Sequence, residues 1–291
     1  MKDEEIAMQF KKVSMEHMAE IKKYLNQSGN RGCNYSVGNI IIWGEDLDLS
    51  YTVIGDSIVF RTITGEQAIY HIAEYTTDFP YVIQQLTEDA GSLQKSVRFA
   101  DLSREMADAL EEAYPSVYRT EFDRDGSDYV YEVNALASLS GKKYHKKKNH
   151  VNRFKKNYAF TYEELTAENI PECIQMAEKW RESREMNDSL RAEARALERA
   201  FRYYEELGFK GGVLRVEGRV AAFTFGEAVT EDTFVTHFEK ALDDIPELYA
   251  VMNQQFAEHA LAAYQYVNRE EDLGVEGLRK EIGRASCRER V

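Results

Sequence analysis

Cysteine is scarce in this 291-residue chain: Cys33, Cys173 and Cys287 sit at spacings that form neither a disulfide framework nor a Cys/His zinc set. That scarcity suits a reducing compartment, so a cytoplasmic setting is expected. Long apolar runs are missing too. The stretch YSVGNIIIWG is followed at once by Glu45 and Asp46, well short of the ~18 apolar residues that a crossing helix needs, and no membrane span is expected. The opening MKDEEIAMQF is too charged for a signal peptide. No P-loop and no nucleophile elbow occur, and His17 and His259 lack partners at metal-ligand spacing, so no metal is expected. Positive charge is short overall. The 37 Lys+Arg against 51 Asp+Glu leave a net charge of −14, which disfavours general coating of nucleic acid.

What is present is a globular chain. Hydrophobic residues make up 43% of it, enough for one large domain or two of ordinary size. Residues 4–25 carry Ile6, Phe10, Val13, Met18, Ile21 and Leu25 at helical spacing. YSVGNIIIW, LSYTVIG and SIVFRTI predict strands, with AIYHIA extending the last across Thr64-Gly65. Phe79–Ala90 is expected as a helix opened by Asp78 and Pro80. VRFADLS then predicts a strand, SREMADALEEAY a helix, and VYRTEFDRDGSDYVYEV a hairpin turning at Asp125-Gly126. The second half repeats this order. AFTYEEL is a short strand, NIPECIQMAEKWRES and Leu190–Leu207 are helices, and GGVLRVEG, RVAAFTFGEAV and TFVTHFEKAL are strands. The helix PELYAVMNQQFAEHALAA and the strand YQYVNRE follow.

A repeat of about 140 residues is too long for a solenoid and predicts two copies of one α/β domain. They are expected at 1–139 and 158–280, joined by a basic helix at 140–157. The last eleven residues, EIGRASCRERV, resemble the translation of a sequencing-library adapter. On that basis 281–291 is expected to be non-native, with the natural sequence cut off near Lys280 before its true C-terminus and the second copy truncated with a sheet edge uncovered.

Against the acidic background, GKKYHKKKNHVNRFKKNY at 141–158 holds eight Lys or Arg and no acid. Wound as a helix, it separates into an apolar stripe of Tyr144, Val151 and Phe154 and a polar face of Lys142, His145, Lys146, Asn149, Arg153 and Lys156. Asn149 and Arg153, four apart, can reach one ligand. A solvated linker helix has the same pattern. The other reading is a local phosphate grip, because Arg and Lys bind phosphate oxygens well and the segment lacks the stacking aromatics of a nucleic-acid platform.

LSGKKYHKKKNHVNRFKKNYAFTYEEL, VTHFEKA, NQQFAEHA and YQYVNREEDLGVEGLRK together resemble the C-terminal domain of phosphatidylglycerol lysyltransferases, over most of the chain and most closely from Ser140 onward. The resemblance implies two tandem acyltransferase domains of the GNAT type, in agreement with the repeat. It also implies acyl or aminoacyl transfer: the lysyltransferases move an amino acid from aminoacyl-tRNA to a lipid headgroup, and the related Fem enzymes move it to a cell-wall precursor. The membrane-spanning half of the lysyltransferases has no counterpart in this sequence, so a lipid acceptor is not implied. Neither half carries the Gln/Arg-x-x-Gly-x-Gly/Ala loop that grips the pyrophosphate of coenzyme A.

Acyl transfer needs a deprotonated acceptor, a stabilised carbonyl oxygen and aligned substrates. In THFEK, strand alternation puts His237 and Glu239 on one face, roughly 6.6 Å apart, as candidate catalytic base and amine anchor, with Phe238 and Lys240 on the other. An exposed polar sheet face has the same alternation. Asn268, Arg269, Glu270, Glu271 and Asp272 close a strand, where α/β folds place ligands. Asn268 and Glu270, with Lys240, are the candidate substrate-binding residues, and a charged loop is the plainer alternative. Lys142, His145, Lys146, Asn149 and Arg153 are expected to hold the donor, either an aminoacyl-tRNA or a small-molecule thioester of coenzyme A. The alternative from another class is a non-catalytic binding or regulatory protein that retains the GNAT fold.

Overall fold

The computed structural model describes residues 8–73, 78–271 and 289–290. Asp272, the GLRK segment, most of the C-terminal tail and the first turn of the expected 4–25 helix lie outside the described residues. The chain folds as two units, Met1–Asn30 with Asn39–Asp123 and Arg31–Gly38 with Arg124–Val291.

In the first unit, β1 (Lys11–Lys12), β2 (Ser50–Ile54), β3 (Ser57–Thr64), β4 (Gln67–Ile72) and β5 (Ser96–Ala100) form one sheet in that order. The first three junctions are antiparallel. β4 and β5 are parallel because α3 (Phe79–Ser92) carries the chain back along the sheet. Phe79, Val82, Ile83, Leu86 and Ala90 of α3 share a core with Val59, Ala68, Tyr70 and Ile72, to which α4 (Arg104–Ala113) adds Met106 and Leu110. The Ser103 side chain caps α4 by accepting the Met106 N–H.

Two expectations fail in this half. Residues 8–17 are not helical throughout: β1 and a single 3-10 turn precede α1 (Met18–Ser28). YSVGNIIIW is not a strand but contributes α2 (Val37–Gly44), in which Ile40, Ile41 and Ile42 are all buried. A continuous apolar run has no period to separate strand from helix once every side is covered.

The second unit holds β6 (Asp128–Glu132), α5 (Val133–Ser138), α6 (His145–Asn157), β7 (Phe160–Glu164), α7 (Ile170–Glu182) and α8 (Asp188–Arg202). β8 (Lys210–Val216), β9 (Arg219–Ala228), β10 (Thr233–Ala241), α9 (Leu248–His259), β11 (Tyr266–Glu271) and β12 (Glu289–Arg290) follow. Its sheet runs β12-β6-β11-β10-β9-β8-β7. β7 to β10 are antiparallel neighbours, and α9 returns the chain so that β11 lies parallel to β10. Phe201, Phe209, Phe223, Phe225 and Phe238 pack ring against ring on the α8 side, and Phe234 meets Phe256 of α9. Each unit therefore winds helices, three antiparallel strands, a helix and a parallel strand, which is the expected repeat.

The hairpin expected at Asp125-Gly126 is absent. β6 instead pairs antiparallel with β11, Tyr131 opposite Val267. It thereby covers the β11 edge that was expected to be bare, and the division between units falls at 123/124 and not near 139. The basic segment is helical as expected. A 3-10 turn at Lys142–Tyr144 leads into α6, and Tyr144, Val151 and Phe154 are buried.

Candidate active site

β10 and β11 pair at Thr233/Tyr266, Phe234/Val267 and Val235/Asn268, and then part. β10 runs on to Ala241 beside β9, and β11 runs on to Glu271 beside β6. Each strand is bulged just past the parting point, β10 between Thr236 and Phe238 and β11 between Asn268 and Glu271. A bulge adds a residue without a ladder partner, bends its strand and re-aims the side chains. Gly226, opposite Thr236, permits the β10 bulge, since a Cβ there would lie 1.8 Å from the Val235 carbonyl oxygen. The equivalent parallel pair of the first unit stays together from Gln67/Ser96 to His71/Ala100, the whole length of β5. The fork is a feature of the second unit.

His237 is the extra residue of the β10 bulge, and its side chain is 0% exposed. Nδ1 lies 2.8 Å from Glu270 Oε1, Nε2 lies 3.2 Å from Glu227 Oε1, and the ring stands edge-on to Phe209. Burial pulls the imidazole pKa down, but hydrogen bonds and charge from Glu227 and Glu270 outweigh it and raise the value to about 9. A ring charged in this way can donate to both carboxylates. Glu227 also accepts the Gly38 N–H, and a Cβ at position 38 would meet it at 2.5 Å, so the close approach requires glycine.

A bracket lies beneath this clip. Asn268 accepts the Glu270 N–H at 2.8 Å and donates to the Arg31 carbonyl at 2.8 Å and to Asp128 Oδ2. Asp128 accepts from the Cys33 N–H at 2.7 Å and from its Sγ–H at 3.2 Å. Burial pushes the Asp128 carboxyl up to about 6 and the Cys33 thiol well above its ordinary range.

These placements correct one sequence expectation and locate the other candidate residues. The bulge breaks the alternation that would have put His237 and Glu239 on one face. Both ring nitrogens of His237 are engaged by carboxylates, so it sits as a clip between β9 and β11. Asn268 is fully buried with its amide engaged at both ends, which holds the strand end, and Glu270 pairs with His237. Sequence pattern does not single out Glu227 or Asp128. Asp128 stands 140 residues from Asn268, and only the fold joins them.

Glu239 meets different neighbours. Asn253 of α9 donates to its Oε1 and Oε2, each at 2.8 Å, and Arg269 of β11 donates to Oε1 at 3.0 Å. His237–Glu270 and Glu239–Arg269 are thus two ion-pair rungs across the fork. Lys240 turns away toward α7 and α8. It pairs with Glu193 and lies 3.9 Å from the Trp180 ring centre, and burial holds its ammonium below the ordinary lysine range. A cavity of about 10 Å³ beside Trp180, Glu193 and Lys240 has room for about one water. Lys240 therefore meets neither rung, contrary to the expected substrate set.

On the basic segment, Lys142, His145, Lys146 and Asn149 are exposed with no ion-pair partner among the described residues. Arg153 is engaged: it and His150 both pair with Glu247, the residue before α9. Burial acts to raise the Glu247 pKa, but the bonds from His150 and Arg153 hold it below the usual range. Among the described residues no group of three His, Cys, Asp or Glu is placed to hold a metal ion, and no helix is long and apolar enough to cross a membrane.

Two such units define a tandem α/β protein of the GNAT acyltransferase fold, each with a mixed sheet. A tandem GNAT protein from the clavulanic acid biosynthesis pathway matches at a TM-score of 0.50 and 7% identity, over 96% of this chain and 94% of that one. The family model described as phosphatidylglycerol lysyltransferase, C-terminal, matches residues 25–281, and the chain belongs to that family. A conserved protein of unknown function from Bacteroides thetaiotaomicron is 34% identical with a TM-score of 0.92, over 97% of this chain and 96% of that one. L-PGS from Bacillus licheniformis is 16% identical with a TM-score of 0.65, over 94% and 89%. No curated protein matches the chain.

Proposed function

We propose that the second unit transfers an acyl or aminoacyl group from a phosphate-bearing donor to an acceptor amine or hydroxyl in the fork. The observation that carries this reading is the fork itself, where parting strands flank an acid, Glu239, steadied by Asn253. An extended donor arm can lie between such strands and pair with their backbone, as peptides add to sheet edges. Glu239 accepts the acceptor's proton while the nitrogen or oxygen attacks the donor carbonyl, and the donor's oxygen or sulfur leaves with the bonding pair. Lys142, His145, Lys146 and Asn149 grip the donor phosphates.

Aminoacyl-tRNA fits this arrangement better than a coenzyme A thioester. Glu247, the residue before α9, carries a carboxylate paired with His150 and Arg153, and its negative charge opposes a pyrophosphate at that helix start. Family membership supports the same donor. A cytoplasmic setting goes with it, and Cys33 and Cys173 are free thiols in accord with a reducing one.

The test is filter binding of aminoacyl-tRNA to the wild type and to the triple variant K142A/K146A/N149A. Affinity is expected to fall about tenfold or more with an unchanged melting temperature, and unchanged affinity overturns the donor site. A second reading, a non-catalytic binding protein, is favoured by one observation: Glu239, Glu227 and Glu270 are all paired to cations. On that reading the triple variant loses affinity but the wild type forms no transfer product.

A further inference from the structure

Arg269 is half-buried and has few partners among the described residues. Its side chain is 13% exposed, as is that of Glu239. A guanidinium has five N–H donors, yet among the described residues Arg269 uses one Nη, toward Glu239 at 3.0 Å. The Tyr131 ring is 6.0 Å away, at the outer limit of a cation–π contact. The buried basic groups of this unit are more fully engaged: both His237 ring nitrogens meet carboxylates, and Lys240 has Glu193 and the Trp180 face. A planar guanidinium with donors to spare suits a carboxylate or phosphate, which takes two parallel N–H bonds. Glu239, for its part, does not depend on Arg269, because Asn253 donates to both of its oxygens.

We infer that Arg269 is an anion-receiving residue of the fork: a carboxylate or phosphate group on a substrate takes the guanidinium over from Glu239. Glu239, still steadied by Asn253, is thereby released as the base. This rests on the fork being the reacting site, as proposed above. The anion-bearing substrate enters first, and without it the base stays neutralised. The His237–Glu270 rung does not take part, since its imidazole is fully buried and held on its other side by Glu227, and the Glu270 backbone is tied to Asn268.

Arginine side-chain Nε–Hε resonances, followed by NMR, test this without any transfer assay. Sodium acetate and inorganic phosphate are titrated separately into the wild type, E239Q and R269K. The Arg269 resonance is expected to shift saturably with at least one probe, and the probe that saturates names the anion. In E239Q, which lacks the competing carboxylate, affinity is expected to rise about fivefold, and in R269K the saturable site is expected to be lost. An Arg269 resonance unmoved by either probe, or moved with equal affinity in the wild type and E239Q, overturns the inference, as does a shift confined to Arg153. Failure of the tRNA-binding test at Lys142, Lys146 and Asn149 would sink the donor reading and leave this result standing.

Discussion

Replacing His237 with glutamine removes a buried cation and leaves Glu227 and Glu270 without their shared partner. An imidazole pKa of about 9 against the ordinary 6.5 corresponds to roughly 3 kcal/mol gained by the folded state from keeping the proton. Stripping one member from a buried pair costs about 3–5 kcal/mol, so H237Q is expected to lose that much at neutral pH. The pH dependence separates charge from packing. Because the folded pKa lies above the unfolded one, the contribution is complete below about pH 6.5 and is lost as pH rises through about 9. The gap between wild type and variant should therefore be widest near pH 6 and narrower by roughly 3 kcal/mol near pH 10. Urea denaturation at several pH values measures it, in a Trp43→Phe background that leaves Trp180 to report on the second unit. A gap independent of pH would refute the imidazolium clip.

Other consequences are simpler to check. Phe154→Ala removes the anchor by which the basic helix docks and should cost about 3–5 kcal/mol in chemical denaturation, whereas Lys146→Ala should stay within about 0.5 kcal/mol. Gly226→Ala forces a Cβ against the Val235 carbonyl, and a loss of about 3 kcal/mol or insoluble protein is expected. The Asp128 carboxyl should titrate near 6 in a carbon-detected NMR titration, well above the ordinary 3.8. Its raised value means this group favours the fold more as pH falls below 6, so wild type should gain on D128N between pH 7 and 4.

The periodic elements were legible in the sequence because each buries one face. The stripe of Tyr144, Val151 and Phe154 marked the basic helix, and Phe79 to Ala90 marked α3 with its Pro80 start. α2 was not legible, since Ile40, Ile41 and Ile42 are buried on every side and carry no period. The Asp125-Gly126 turn signal was genuine chemistry without a partner strand, because β6 finds β11 far along the chain. The site was half legible. His237 and Glu239 stood out by strand alternation, but alternation cannot foresee a bulge, and the bulge gives them different neighbours. Glu227, Asp128 and the under-used donors of Arg269 become visible only when β6, β9, β10 and β11 lie side by side.

Amide hydrogen exchange of the protein with and without saturating aminoacyl-tRNA tests most directly whether the second unit's fork and basic helix form one substrate site. Slowed exchange in both 142–156 and 236–241 is predicted, with the first unit's parallel pair, 67–72 and 96–100, unchanged as the internal control. Exchange at 236–241 that is no slower with the tRNA than without it would contradict the account.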